Sequence, residues 1–253
     1  MTRPLLLSLC LLLAPVAHAE TAITWMSEEY PPYNFTDAEG NARGVAVDSL
    51  ALLWQQLGLS LGTGAIEFLP WARGYARLQR EPNTALFAMT YTPSRVQQFR
   101  FVGPLVPIHM VLLARRDSPP RVTSDDDLKS LRLGVVREDI GQQLLLERGV
   151  DTSSMVVTDR ASKLVELLQR GRVDAIAYSY DVVTWNMREA GVDPQNFTII
   201  YTLLEGELGY AFHRDTDPAL LQRLQQGLEQ LQQAGEISSI RAHYLGTAPA
   251  QAD

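Results

Sequence analysis

The chain has 253 residues, 46% of them hydrophobic, with 22 Lys and Arg against 29 Asp and Glu and a formal net charge of −7. This is enough apolar material for two ordinary lobes or one large domain, and it excludes disordered and fibrous classes. The acidic balance argues against nucleic acid and anionic membrane surfaces as partners.

Taken in order, Arg3, an apolar run over 5–14 and the small-x-small triplet Ala17-His18-Ala19 predict a secretory signal peptide over 1–19, cleaved near Ala19 before Glu20. The run is too short for a membrane span. Cys10, the sole cysteine, lies inside it, so the exported chain relies on no disulfide. Leu9 and the short run before Cys10 argue against lipid attachment there.

Residues 22–26 read as a strand, which Pro31 and Pro32 stop and stiffen into a loop carrying Tyr30 and Tyr33. Aromatic side chains at such a place either stack on a ligand or cap the core. Residues 37–44 are turn chemistry, and Val47, Leu50, Ala51, Trp54 and Leu57 then recur at helical spacing until Gly58. A second strand over 66–69 ends in Pro70-Trp71, with a helix over 72–79. Leu86, Phe87 and Met89 form a third strand, followed by Thr92 as N-cap and Pro93 at the first helical position, which leaves Arg95 in the first turn. An arginine there either offers a fork of donors to a small carboxylate or is simply solvated. The β-α-β-α-β-α alternation predicts a parallel α/β sheet, and such sheets bind ligands outside the carboxyl ends of their strands. Tyr30, Trp71 and Arg95 all follow strand ends, so they arrive at one edge.

Gly103-Pro104 reads as a break, 108–114 as a strand and 115–120 as an exposed crossover. Ser124 with Asp127 marks a helix start. The alternation then resumes, with strands over 131–136, 155–158, 175–178 and 197–201 and helices over 139–148, 161–169 and 182–190. A strand over 208–212, a leucine-striped helix over 218–234 and a helix over 238–244 close the ordered chain; 247–253 is a flexible tail.

Four stretches together resemble periplasmic solute-binding protein family 3, the polar amino-acid type: Tyr30-Pro31-Pro32-Tyr33, Gly44-Val45-Ala46-Val47-Asp48, Thr90-Tyr91-Thr92-Pro93-Ser94-Arg95, and Leu168-Gln169-Arg170-Gly171-Arg172-Val173-Asp174-Ala175. The resemblance implies a type II periplasmic binding protein fold of two lobes joined by two hinge strands. Lobe 1 is then 20–112 plus 208–246 and lobe 2 is 113–207, with one ligand in the cleft between them. It implies that Arg95 grips the ligand carboxylate with help from Thr90 and the backbone at Ala88, and that Tyr30 and Trp71 flank the ligand. The turn carrying Arg137 and Ile140 meets it from across the cleft. Ser27 and Ser179 stand where the family often places ligand-facing aspartates, the second of which pairs with the ligand ammonium; Asp181, Glu138 and Glu28 are the candidate replacements.

The expected function is therefore a monomeric, non-enzymatic periplasmic protein. It delivers a small carboxylate-bearing solute, an amino acid or related compound, to an ABC transporter. It needs no cofactor or metal, since no metal-ligand spacing, nucleophile elbow or phosphate loop is present. The alternatives are a ligand-sensing module docking on a receptor, and a dehydratase-like enzyme on the same fold with Glu138 or a histidine as general acid.

Overall fold

Short apolar runs punctuated by proline and glycine fold as alternating strands and helices. The structure, a computed structural model, describes residues 22–59 and 62–245. The predicted signal peptide with Cys10, and the tail 247–253, lie outside the described residues.

The first third comprises β1 (Thr24–Ser27), a small hairpin β2 (Phe35–Thr36) and β3 (Ala42–Arg43), α1 (Val45–Gln56), β4 (Glu67–Phe68), α2 (Trp71–Arg80), β5 (Thr84–Thr90) and α3 (Pro93–Gln98). Then come β6 (Arg100–Arg115), α4 (Asp125–Leu128), β7 (Leu133–Val136), α5 (Ile140–Glu147), β8 (Met155–Thr158), α6 (Ala161–Gln169), β9 (Ala175–Ser179) and α7 (Tyr180–Glu189). Strand β10 (Phe197–Phe212) and helices α8 (Pro218–Gln233) and α9 (Glu236–Leu245) complete it.

One eight-stranded sheet runs β4-β1-β5-β10-β6-β9-β7-β8. Strand β1 pairs in parallel with β4 and β5, and β7 pairs in parallel with β8 and β9. The same crossover pattern is thus built twice, and an antiparallel ribbon of β6 and β10 joins the two copies.

The ribbon corrects the sequence reading, which breaks β6 at Gly103-Pro104 and splits β10 between 201 and 208. Between the pairs Leu208 to Val106 and Tyr210 to Val102 the register shifts, so Gly103, Pro104 and Leu105 bulge out and the proline costs no ladder bond. Gly103 has φ +150°, and a Cβ there would lie 2.5 Å from the Tyr91 hydroxyl. In β10, Glu205, Gly206 and Glu207 pair with His109, Ile108 and Pro107. Their polarity reflects solvent exposure at mid-ribbon and does not end the strand.

Buried residues on both sides of the ribbon form one continuous apolar cluster, from Trp25 and Leu50 through Leu112 to Leu164 and Val183. The chain end returns to the beginning. Helices α8 and α9 pack on α1, burying Leu224 and Leu228, each worth about 1.5 to 3 kcal/mol. Tyr244 ties α9 to the start of α1, its hydroxyl accepting from Gly44 N–H at 3.1 Å and donating to Asp48 at 2.7 Å.

Candidate functional site

The carboxyl ends of β1, β5, β7 and β9 face one another. In each three-stranded unit the chain passes from the first strand to one neighbour and then crosses back past it to the other, and the crevice opens where that reversal occurs. Ser27, Glu28 and Tyr30 leave β1, Thr90 and Arg95 leave β5, Glu138, Asp139 and Ile140 leave β7, and Tyr178 and Ser179 end β9.

Arg95 occupies the centre and is 1% exposed. The predicted cap is present: Thr92 Oγ1 accepts from Arg95 N–H at 3.2 Å, with Pro93 next. That bond uses a helix-start donor, so the side chain carries the site. Its Nη1 donates to the Thr90 carbonyl at 3.3 Å, and its Cζ lies 5.3 Å from the Trp71 ring and 5.7 Å from the Tyr75 ring. Nε and Nη2 have no hydrogen-bond partner. Two free donors on a buried guanidinium are costly unless something accepts from them.

Contacts from both sides close over this arginine. Trp71 Nε1 donates to the Glu138 carbonyl at 2.8 Å, and the Tyr33 hydroxyl donates to Asp181 Oδ2 at 2.7 Å. Tyr30 stacks on Tyr33 and meets the edge of Tyr178, its ring 5.5 Å from that partner. Among the predicted residues, Thr90, Ala88, Tyr30, Trp71, Ile140 and Ser179 are all buried, and Thr90 and Trp71 touch the guanidinium. Ser27 is buried, but its hydroxyl donates to the Phe87 carbonyl at 2.7 Å, so it fastens β1 to β5. The Ala88 N–H is likewise taken, by Asn34 Oδ1 at 3.3 Å. Ser179 Oγ is buried without a partner.

Arg137 does not join the cluster. It is exposed, and its N–H donates to the Thr158 carbonyl. Glu138 beside it has φ +58° and turns the chain outward, so the charged side chain this turn sends inward is the next one, Asp139. Asp139 caps α5, accepting from Gly141 N–H at 3.3 Å, and is 4% exposed. The sequence reading begins a helix at this residue, within the turn it expects to meet the ligand, but singles out Arg137 and Ile140 there and not Asp139; the signal available was an N-cap at the carboxyl end of a parallel strand. Asn34 is the other residue it passes over. Its amide donates to the Glu28 carbonyl at 2.8 Å and its carbonyl accepts from Ala88, which locks the aromatic loop onto β5. Of the acids expected to replace the aspartate at Ser179, Glu138 is exposed and Asp181 is bonded to Tyr33, whereas Glu28 is buried.

Burial pushes the Glu28 carboxyl well above its ordinary range, and the charge of Asp139 pushes it further; Arg95 opposes both. Burial also raises Asp139, against Arg95 and the N–H groups of Ile140 and Gly141, and it lowers Arg95. A carboxyl raised in the folded state holds its proton there at a pH where the unfolded chain has lost it. Its contribution to stability is full below the ordinary carboxylate pKa and is lost as pH rises through the raised value. The ligand-free protein is thus expected to lose thermal stability with rising pH just above the ordinary carboxylate range. A Glu28→Gln, Asp139→Asn double variant should flatten that slope; equal slopes in a melting series across pH would refute the assignment.

Between the two units a cavity of about 540 Å³ opens, lined by Glu28, Phe68, Leu69, Pro70, Asp159 and Arg160 among others. Among the described residues no cluster of three metal-ligating side chains occurs, and no helix is long and apolar enough to cross a membrane.

Comparison with known proteins agrees with this fold. The model of the bacterial extracellular solute-binding proteins, family 3, matches residues 23–247. A probable histidine-binding protein of Neisseria gonorrhoeae is 24% identical over 229 residues, covering 88% of this chain and 82% of that protein. The crystal structure of a histidine kinase sensor domain with similarity to periplasmic binding proteins superposes with a TM-score of 0.77 at 26% identity, covering 90% of this chain and 98% of that one. The arginine-, lysine-, histidine-binding protein ArtJ of Geobacillus stearothermophilus superposes at 0.73 with 20% identity, covering 90% and 97%.

Proposed function

Because the chain belongs to the bacterial extracellular solute-binding proteins, family 3, we propose that it captures an amino acid or related carboxylate between its two lobes and hands it to an ABC transporter. The carrying observation is Arg95: 1% exposed, with two donors unsatisfied, at the meeting point of four strand ends. A ligand carboxylate accepting from Nε and Nη2 gives a bidentate pair that offsets the cost of burying the guanidinium. Tyr30 and Trp71 wall the ligand, Ser179 Oγ offers a further polar contact, and the turn at Ile140 brings the second lobe onto it. On this reading lobe 1 is 20–112 plus 208–246 and lobe 2 is 113–207. The protein acts as a monomer without cofactor or chemistry, in the periplasm after loss of residues 1–19. The histidine-binding relative favours an amino acid as ligand.

Thermal unfolding against a panel of amino acids, amine-free carboxylates and small peptides tests the reading. A ligand at 100 times its Kd adds about 2.7 kcal/mol, a rise in Tm of roughly 5 to 10 °C for a chain this size. No rise with any carboxylate would overturn it. The sensor domain at 26% identity supports a second reading, a sensing module that reports the bound ligand to a receptor. Crosslinking the loaded protein in its native envelope separates the two: an ATP-driven permease as partner supports delivery, a receptor supports sensing.

A further inference from the structure

We propose that the outer edge of β8, with the flank of α6 beside it, docks an extended acidic segment of a partner protein, which adds to the sheet as a further strand. Among the described residues the sheet has three stretches of unpaired edge: β4, β8, and β10 over 197–206, where it pairs with β6 alone. Two of them are blunted. Strand β4 is two residues long, Arg77 bonds to its Glu67 at 2.6 Å, and Pro70 follows. In β10 the register against β6 shifts twice over this stretch, and Arg148 donates to the Leu203 carbonyl at 2.8 Å. Brevity, charge, proline, bulges and covered backbone groups are the means by which sheets avoid edge pairing. Strand β8 carries no charge, proline or bulge: its Met-Val-Val-Thr run pairs with β7 in unbroken register. The Thr158 carbonyl accepts from Arg137 N–H at 2.9 Å, so the N–H and C=O of the alternate residue, Val157, face the outer edge.

The flank of α6 sets what the added strand carries. Lys163, Leu167 and Arg170 recur at i, i+4 and i+7, so they form one stripe along the helix, about 5 to 6 Å from one to the next. Alternate residues of a strand share a face at about 6.6 Å spacing. An apolar side chain over Leu167 therefore places its two same-face neighbours beside Lys163 and Arg170. A cavity of about 450 Å³ opens here, and its lining joins the half-buried Val156 and Leu167 to Lys163, Arg170 and Arg172 against the single acid Glu166. Glu166 is shared between Lys163 at 3.0 Å and Arg170 at 2.9 Å, and Arg172 is exposed. Exposed pairs of this kind regroup around a new carboxylate at little cost. The rim thus holds three cations and one acid on a chain whose net charge is −7. The segment that fits it reads acid-x-apolar-x-acid. A second copy of this chain fits less well, because pairing two β8 edges brings two cationic rims together. None of these residues belongs to the Arg95 site, so the docking surface and the ligand site are tested apart.

The test is fluorescence anisotropy of the folded protein with a labelled peptide that repeats Asp-Thr-Val-Thr-Asp, against two controls. One control replaces each aspartate by lysine; the other keeps the sequence but N-methylates alternate amides, which removes main-chain donors and leaves the charge. The acidic peptide is expected to bind at least tenfold more tightly than either control, and to slow hydrogen exchange of the Val157 amide. Val157→Pro removes an outward N–H and no ladder bond to β7, and Arg172→Glu reverses the charge of the rim; each should weaken the acidic peptide at least tenfold. Circular dichroism checks the fold of the proline variant, and the arginine variant, altered only at an exposed side chain, keeps the test open if that fold is lost. No binding of the acidic peptide, equal binding of the N-methylated one, or unchanged affinity in Arg172→Glu would overturn the proposal. Self-association of the wild-type chain that Val157→Pro abolishes in sedimentation would assign the edge to a second copy and overturn it too.

Discussion

Replacing Arg95 by alanine is expected to weaken ligand binding by about 2 to 5 kcal/mol, the range for removing one partner of a buried hydrogen-bonded charge pair. That is a loss of about 30-fold to about 5,000-fold in Kd. The size follows from isolation. The guanidinium is walled by the Trp71 and Tyr75 rings, fixed by the Thr90 carbonyl and closed off by the Trp71 to Glu138 bond, so water does not replace it cheaply. The variant also leaves Glu28 and Asp139 without the nearby positive charge that lowers both. Raising the salt concentration should not mimic the loss, because screening acts weakly on buried pairs. Calorimetry with the best ligand of the panel measures it, and circular dichroism checks the fold. An affinity within twofold of wild type would remove Arg95 from the site.

Gly44→Ala should destabilise the protein by about 3 kcal/mol or more, lowering Tm by roughly 6 to 12 °C. Gly44 has φ +118° and ψ +169°, a conformation open essentially to glycine alone. A Cβ there would lie 2.5 Å from the Tyr33 carbonyl oxygen and 2.8 Å from Asn34 N, both backbone atoms with no rotamer to escape into. Those atoms cannot yield independently. The Pro32 and Tyr33 carbonyls accept from Val45 and Ala46 N–H at 3.0 and 2.7 Å, satisfying the first turn of α1, and Tyr33 reaches Asp181 across the cleft. The substitution should therefore lower ligand affinity along with stability. Thermal and denaturant unfolding read the first effect and titration the second; a loss below about 1 kcal/mol would show that the loop relaxes freely.

This coupling explains physically why the aromatic-Pro-Pro-aromatic loop and the Gly-x-x-x-Asp stretch both contributed to the family resemblance. They are one unit, in which the loop caps the helix, the glycine admits the loop, and Asp48 holds Tyr244 of α9. Neither half accounts for the other when read along the chain. The acids show the opposite case. Glu28 stood among the replacements for the absent aspartate at Ser179, but local sequence ranks it no higher than Glu138 or Asp181, and Asp139 reads only as the start of a helix.

By itself the sequence determined the elements that depend on near neighbours: the α/β alternation, the Thr92-Pro93 cap that sets Arg95, the leucine stripe of α8 and the two-lobed fold class. The first three follow from periodicity and turn chemistry within about a dozen residues, and the two-lobed fold class from the resemblance to the family. Only the tertiary structure decided that Gly103-Pro104 bulges without ending β6, that polar β10 continues through Glu205 to Glu207, that Arg137 is exposed, and that Glu28 and Asp139 are buried where the charge of Arg95 reaches them. Each of those outcomes is set by burial and pairing between residues far apart in the chain. The desolvation that raises these carboxyls exists only in the folded chain.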